Sequence, residues 1–274
     1  MYVSVAVMDT GIFRHMDFDT RIAGFADFVG RKKYLYDDNG YGTHVAGIIA
    51  GSGKGSNGKY RGIAPDTFLV SVKVLDKSGN GKIENVVEAA GWIIENKSAM
   101  NIRVVNISFG TRAKMENGPA IETGEDDYAL IMAVEKMWDS GIVVVAAAGN
   151  NGPGNTSVTA PGISKKIITV GAFDDKNFFS GRGPTRECIV KPEVVVTGSN
   201  IIACNNHQGR YSSKSGTSMA APVVSGAVAR LIKNNPDITP KEVKIWMKSC
   251  CKKINVPSEK QGWGVLDIRK FVTG

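Results

Sequence analysis

Short β-branched runs recur along the chain, and helical stretches fall between them. Val3–Val7, Thr67–Leu75, Arg103–Ile107, Ile142–Ala148, Ile167–Val170 and Val194–Val196 read as strands, apolar almost throughout. Val45–Ala50, Ile83–Asn96, Asp127–Asp139, Ser218–Asn234 and Thr239–Cys250 read as helices. In the second of these, apolar residues stand at 83, 86, 87, 90, 93 and 94, the spacing of one helix face. A strand without polar alternate positions has to be covered on both sides. The pattern therefore predicts an α/β fold: a doubly wound, mostly parallel sheet with helices on both faces, in three layers. No repeat, linker or low-complexity stretch interrupts it, so residues 1–274 read as a single domain.

Other classes are excluded by composition. At 42% apolar and 22% charged residues the chain can bury a core, which sets disorder aside. No apolar run approaches 18 residues, so no membrane association is expected. Met1–Asp9 has neither a basic leader nor a cleavage site, and a cytoplasmic location is expected. The four cysteines lack CxxC spacing, and adjacent Cys250 and Cys251 make a poor disulfide staple, which fits a reducing compartment. The net charge of +8 comes from scattered pairs and triples such as Arg31-Lys32-Lys33, without interleaved aromatics. It reads as a solvated basic surface, with no nucleic-acid partner and a monomeric chain expected.

In such sheets ligands gather at the carboxyl ends of the strands. There the sequence places Asp9, Ser108 and Gly149-Asn150. By default an aspartate after a strand is a cap and Asn150-Asn151-Gly152-Pro153 a turn, but all of them would converge on one edge. The strongest signal is Ser215-Gly216-Thr217-Ser218-Met219-Ala220-Ala221-Pro222, opening a helix of small residues. Such a helix packs centrally, and its first turn offers backbone N–H groups to developing negative charge. A nucleophilic serine and its oxyanion need that environment.

Gly216–Pro222 resembles the nucleophile motif of the subtilisin-like serine proteases. Val7-Met8-Asp9-Thr10-Gly11-Ile12 resembles their aspartate motif, Ala147-Ala148-Gly149-Asn150 their oxyanion segment, and Val105–Gly110 their substrate strand. The resemblance spans essentially the whole chain. Gly-Lys-Tyr-Arg-Gly-Ile-Ala-Pro at 58–65 and Ser-Gly-Arg-Gly-Pro at 180–184 point toward the intracellular bacterial branch. The resemblance implies Ser218 as acylating nucleophile, Asp9 as the carboxylate orienting the base, and Asn150 as oxyanion donor beside the Ser218 N–H. It implies an extended polypeptide substrate pairing along Ser108, Phe109 and Gly110. Its side chain before the scissile bond would be walled by Ala147, Ala148 and Gly149 above Thr159. No cofactor is required for that chemistry. Structural calcium is common in the family, and Asp27, Asp37 and Asp38 are candidate ligands, although acidic loop residues are more often just solvated.

One departure dominates. The family's His-Gly-Thr-His-Val-Ala-Gly reads here Tyr41-Gly42-Thr43-His44-Val45-Ala46-Gly47, with Tyr41 at the general-base position. A tyrosine with a pKa near 10 is about one part in a thousand ionised at pH 7 and is a poor proton acceptor. His44 lies a helical turn further on and reads as a buried, backbone-satisfied histidine. His15 reads as a turn residue and His207 as part of a hairpin before the nucleophile. The chain is thus expected to be a strongly impaired or inactive serine endopeptidase; the alternative is a non-catalytic relative that binds a peptide or partner protein in the same cleft. Lys191-Pro192-Glu193 and Val196-Thr197-Gly198 also depart from the family, and Thr111–Asp126 forms a polar loop at one rim of the cleft. The family's N-terminal prodomain is not expected here, because Met1 stands two residues before the first strand.

Overall fold

Residues Ser4–Asp9 form β1, whose side chains part to two sides: Val5 and Val7 enter one core, Ala6 and Met8 another. That two-sided burial is the reason the strand carries no polar alternation. The computed structural model describes residues 2–111 and 124–274. Along the chain follow β2 (Ile22–Asp27), α1 (Tyr41–Ala50), β3 (Phe68–Lys73), α2 (Ile83–Asn96), β4 (Ile102–Ile107), α3 (Glu125–Asp139), β5 (Val143–Ala147), β6 (Ile168–Ala172) and β7 (Val194–Val196). After them come β8 (Ile201–Cys204), β9 (Tyr211–Lys214), α4 (Thr217–Asn234), α5 (Pro240–Ser249), β10 (Cys251–Lys252), α6 (Ser258–Gln261), β11 (Val265–Leu266) and α7 (Ile268–Val272).

The main sheet has the order β10-β11-β7-β6-β5-β4-β1-β3-β2 and is parallel except between β10 and β11. Helices α1, α4, α5 and α7 share one core with Val5, Val104, Val145 and Val170. Helices α2 and α3 fill the other, against Met8, Val72, Val105 and Val144. The fold is the three-layer, doubly wound sheet that the strand pattern predicts. Helix α4 is buried on every side from Thr217 to Ala229, which explains its run of Ala, Val, Ser and Gly.

The sheet is built outward from β1. The chain lays β3 on one side of it and returns to lay β4 on the other, so their carboxyl ends diverge into a crevice. Asp9 ends β1 and Ser108 follows β4 at that point.

Several boundaries differ from the sequence expectation. Helix α1 begins at Tyr41 rather than Val45, because Tyr-Gly-Thr-His carries no apolar period. Gly42 is needed there: a Cβ on it would come within 2.1 Å of the Gly11 carbonyl oxygen, so its absence lets the helix start lie directly on the end of β1. Strand β2 was not expected, since Ile-Ala-Gly-Phe-Ala-Asp has few branched residues, and β10 and β11 are only two residues long. Of the polar loop expected at Thr111–Asp126, residues 112–123 lie outside the described residues, and Glu125 and Asp126 already belong to α3. Glu193, in the departing Lys191-Pro192-Glu193, is a buried hub. It accepts from Lys191 Nζ at 2.8 Å and from the Thr169 N–H, and Lys244 Nζ lies 2.9 Å away, which ties β6, β7 and α5 together.

Candidate active site

Helix α4 brings Ser218 to the crevice as the second residue of its first turn. Pro222, one turn on, has no N–H, so the Ser218 carbonyl has no helical partner. Ser108 Oγ supplies one at 3.0 Å. Ser108 Oγ in turn accepts from Asn106 Nδ2 at 2.9 Å, and Asn106 Oδ1 accepts from Ser225 Oγ at 2.8 Å. This buried chain of side chains clamps the start of α4 onto the end of β4. Sequence reasoning missed Asn106 and Ser225; the signal was a lone amide inside Arg-Val-Val-Asn-Ile, where every neighbour is apolar. Asn106→Ala removes two buried hydrogen bonds, while Ser108 Oγ keeps the Ser218 carbonyl and Ser225 Oγ keeps the Ala221 carbonyl. We expect a loss of about 2 kcal/mol in urea unfolding, and an unchanged midpoint would show that the clamp contributes nothing.

Asn150, just beyond β5, is fixed from the opposite side. Its Oδ1 accepts from the N–H and hydroxyl of Thr217 at 3.0 and 3.1 Å, so the amide nitrogen faces away from Thr217. A Cβ on Gly216 would stand 3.3 Å from Asn150 Nδ2 and 3.8 Å from the Ser218 N, so both donors border one small space. Neither has a hydrogen-bond acceptor among the described residues.

The predicted substrate segments also come together. A Cβ on Gly110 would lie 2.3 Å from Thr159 Oγ1, and one on Gly149 would lie 2.7 Å from it. Both glycines are required for this close approach, and Gly149 has a φ of +88° as well. The Thr159 N–H bonds the Ala148 carbonyl at 3.2 Å. Thr159 is thus wedged between the Ser108–Gly110 and Ala147–Gly149 segments. Phe109, Gly110 and Thr159 line a broad cleft that continues toward Leu75, Ile83 and Leu130.

Tyr41 is the first residue of α1. Its hydroxyl lies 3.8 Å from Met219 Sδ, the residue that follows Ser218. Burial pushes its pKa up; the Ser218 contact pulls it down, and the Asp9 charge raises it further, with a net rise. Asp9 is buried at the end of β1. Its Oδ1 accepts from the Thr10 N–H at 2.7 Å, while Oδ2 has no partner among the described residues. Burial is the main reason that its pKa is raised to about 7.

The three histidines stand elsewhere. His44 Nε2 lies 3.2 Å from the Ile201 carbonyl and 3.0 Å from that of Ser212, which holds the ring against β8 and β9. Burial lowers its pKa to about 4, so it is neutral and donates through that nitrogen. His15 is buried against the Arg210 carbonyl at 3.1 Å, and His207 is exposed.

The three acidic residues named as weak calcium candidates do not fit a cation. Asp27 accepts from the N–H groups of Val29, Gly30 and Lys32 and from the Tyr36 hydroxyl. Burial raises its pKa, but these four bonds outweigh that and lower it. Asp37 accepts from Thr10, Asn39, Gly40 and Thr43, and Asp38 pairs with Lys73 Nζ at 2.7 Å. These carboxylates organise loops with protein donors, and calcium at Asp27, Asp37 and Asp38 is set aside. Among the described residues, His15, Asp17 and Cys204 do gather potential ligand atoms. Asp17, however, is filled by Gly53, Gly55 and Tyr211.

Residues 2–264 match the model of the subtilase family of peptidases. The chain is 42% identical to the serine protease AprX of Bacillus subtilis (strain 168), over 90% of this chain and 60% of AprX. It is 34% identical to subtilisin DY of Bacillus licheniformis, over 88% of this chain and 81% of that protein. Among solved structures, a cold-adapted subtilisin-like serine proteinase superposes with a TM-score of 0.76 at 30% identity, covering 96% of this chain and 86% of its own. Sphericase does so with a TM-score of 0.80 at 25% identity, over 96% and 90%.

Proposed function

The chain belongs to the subtilase family, and from that premise we propose that this subtilisin-type serine protease domain keeps the machinery for binding and polarising a peptide bond but lacks a competent base. In this reading Ser218 is the nucleophile, the Asn150 amide and the Ser218 N–H receive the oxyanion, and extended polypeptide runs along Ser108–Gly110. Affinity then comes largely from main-chain pairing.

One observation carries the reading: a tyrosine opens α1 where the family has its base, with its hydroxyl 3.8 Å from Met219 Sδ beside Ser218, and the Asp9 oxygen that would steady a base has no partner among the described residues. Forming the acyl-enzyme requires the Ser218 Oγ–H proton to leave as Oγ attacks the carbonyl carbon, and later to reach the departing amine. An imidazole does both. A neutral phenol whose pKa is raised can accept that proton only by becoming an oxonium, so acylation has no low-energy route through Tyr41. His44 is held on backbone carbonyls and offers no substitute.

What remains is binding and oxyanion stabilisation, which in subtilisin account for roughly 10³–10⁴ over water. A peptide held without being cut, or cut only slowly, is the resulting behaviour. Four free thiols and the absence of disulfides among the described residues support a reducing compartment for it. The test is hydrolysis of a fluorogenic peptide panel by the chain and by Ser218→Ala, with fluorophosphonate labelling alongside. We expect near-equal slow rates and sluggish labelling. Fast labelling and brisk turnover that Ser218→Ala abolishes would mean that another group serves as base.

A further inference from the structure

The crevice leaves the far end of α4 unused, and with it the segment Gly-Lys-Tyr-Arg-Gly-Ile-Ala-Pro at 58–65. Helix α4 runs 18 residues from Thr217 to Asn234. At 1.5 Å per residue that is about 27 Å, so its last turn lies well away from Ser218. The loop 61–66 is fastened to the end of α1. There the N–H groups of Gly62, Ile63 and Ala64 donate to the carbonyls of Gly51, Ile48 and Ile49 at 2.8, 3.0 and 2.8 Å. Gly226 lets α4 pack onto this loop, since a Cβ on it would come 2.8 Å from Ile63 Cβ. Both walls are fixed, and between them opens a cleft of about 490 Å³ whose lining includes Arg61, Ile63, Pro65, Asp66, Arg230 and Lys233.

Three cations line this cleft against one acidic side chain, Asp66. Asp66 pairs with Lys233, and that hydrogen bond holds its carboxyl below the usual carboxylate range; partial burial opposes this and the Arg230 charge adds to it. Both partners are about half exposed, so the pair is weak and open to competition. Asp237, beyond the helix end, does not line the cleft. Arg61 and Arg230 have no carboxylate paired with them among the described residues. Arg230 places one donor on the Ile63 carbonyl at 3.4 Å, which leaves the rest of its fork to a ligand. Against three positive charges, Asp66 and the half negative charge at the carboxyl end of α4 leave about +1.5. A single carboxylate would satisfy one arginine fork. Three cations on one cleft match a doubly charged oxyanion instead, and the cleft is roomier than one ion, with Ile63 and Pro65 as apolar wall.

We propose that this cleft is a binding site for a phosphomonoester. The phosphoryl group lies between Arg61 and Arg230 within reach of Lys233, and its organic part rests on Ile63 and Pro65. The site is separate from the crevice and stands whether or not the chain cleaves peptides.

Isothermal titration calorimetry at low ionic strength with phenyl phosphate, inorganic phosphate and benzoate tests it. Phenyl phosphate is expected to bind tightest, inorganic phosphate more weakly and benzoate least. Arg61→Gln and Arg230→Gln should each weaken phenyl phosphate about tenfold, since each removes a charged donor to the phosphoryl oxygens. Melting temperatures without ligand check that both variants fold. Lys253→Gln, at an exposed lysine elsewhere, should change nothing. Inorganic phosphate binding as tightly as the ester would overturn the organic part and make free phosphate the ligand. An anion held at Ser218 would ignore both arginine changes. That result, benzoate binding as well as phenyl phosphate, or no binding at all overturns the inference.

Discussion

Tyr41→His raises peptide hydrolysis by a factor on the order of 10⁴ or more. In subtilisin, removing the histidine alone costs about 2 × 10⁶ in kcat, so returning it to a site otherwise in place recovers a large part of that factor. The geometry favours recovery. Position 41 opens α1 directly over the end of β1, because Gly42 has no Cβ to hold the helix off the Gly11 carbonyl. An imidazole there can donate one N–H to Asp9 Oδ2, which has no partner among the described residues, and accept the Ser218 proton at its other nitrogen. The rate of the variant should also climb with pH through the imidazole range near 6.5, a profile that the unmodified chain lacks. Adding Ser218→Ala should return it to background. A gain below about tenfold would show that Asp9, Ser218 and Asn150 are not poised for catalysis.

Asp9→Asn stabilises the unmodified chain at alkaline pH, by an amount that depends on pH in a stated direction. Burial raises the Asp9 carboxyl from 3.8 to about 7 in the folded protein. The folded state therefore holds the proton more tightly than the unfolded one. Its contribution is fully present below pH 3.8, falls as pH rises, and is lost once pH passes about 7. At 1.36 kcal/mol per unit, the stability of the unmodified chain should drop by about 2–3 kcal/mol between pH 5 and pH 8 from this group alone. An asparagine keeps the Thr10 contact and carries no charge, so its advantage over Asp9 should grow by that amount across the same interval. Urea unfolding of both chains at the two pH values measures it. A constant difference would mean that Asp9 is not desolvated as its burial implies. Beside a histidine at 41 the same substitution should cost about 10⁴ in turnover, since it leaves the imidazole in the wrong tautomer.

The fold was legible because its signal is repeated. Six apolar runs with helices between them leave little choice but a covered parallel sheet, and Ile83–Asn96 keeps its helical period from end to end. What escaped was short or unpatterned: β2 with its glycine and small residues, the paired β10 and β11, and the first turn of α1. Motifs named Asp9, Tyr41, Asn150 and Ser218 as candidates, and the fold gathers their segments around the ends of β1, β4 and β5. Asn106 and Ser225 stand 119 positions apart, and their bond exists only because β4 runs beneath α4. Asp27, Asp37 and Asp38 looked like cation ligands because a sequence counts carboxylates without showing which N–H and O–H groups they already hold.

The proline within α4 has one more effect. Because the carbonyl it frees is taken by Ser108, the proposed nucleophile and the proposed substrate strand are joined directly by a hydrogen bond, beside the Asn106–Ser225 bond one turn along. The spacing between them is a fixed gauge, independent of the loops that connect β4 to α4 through more than a hundred residues of chain.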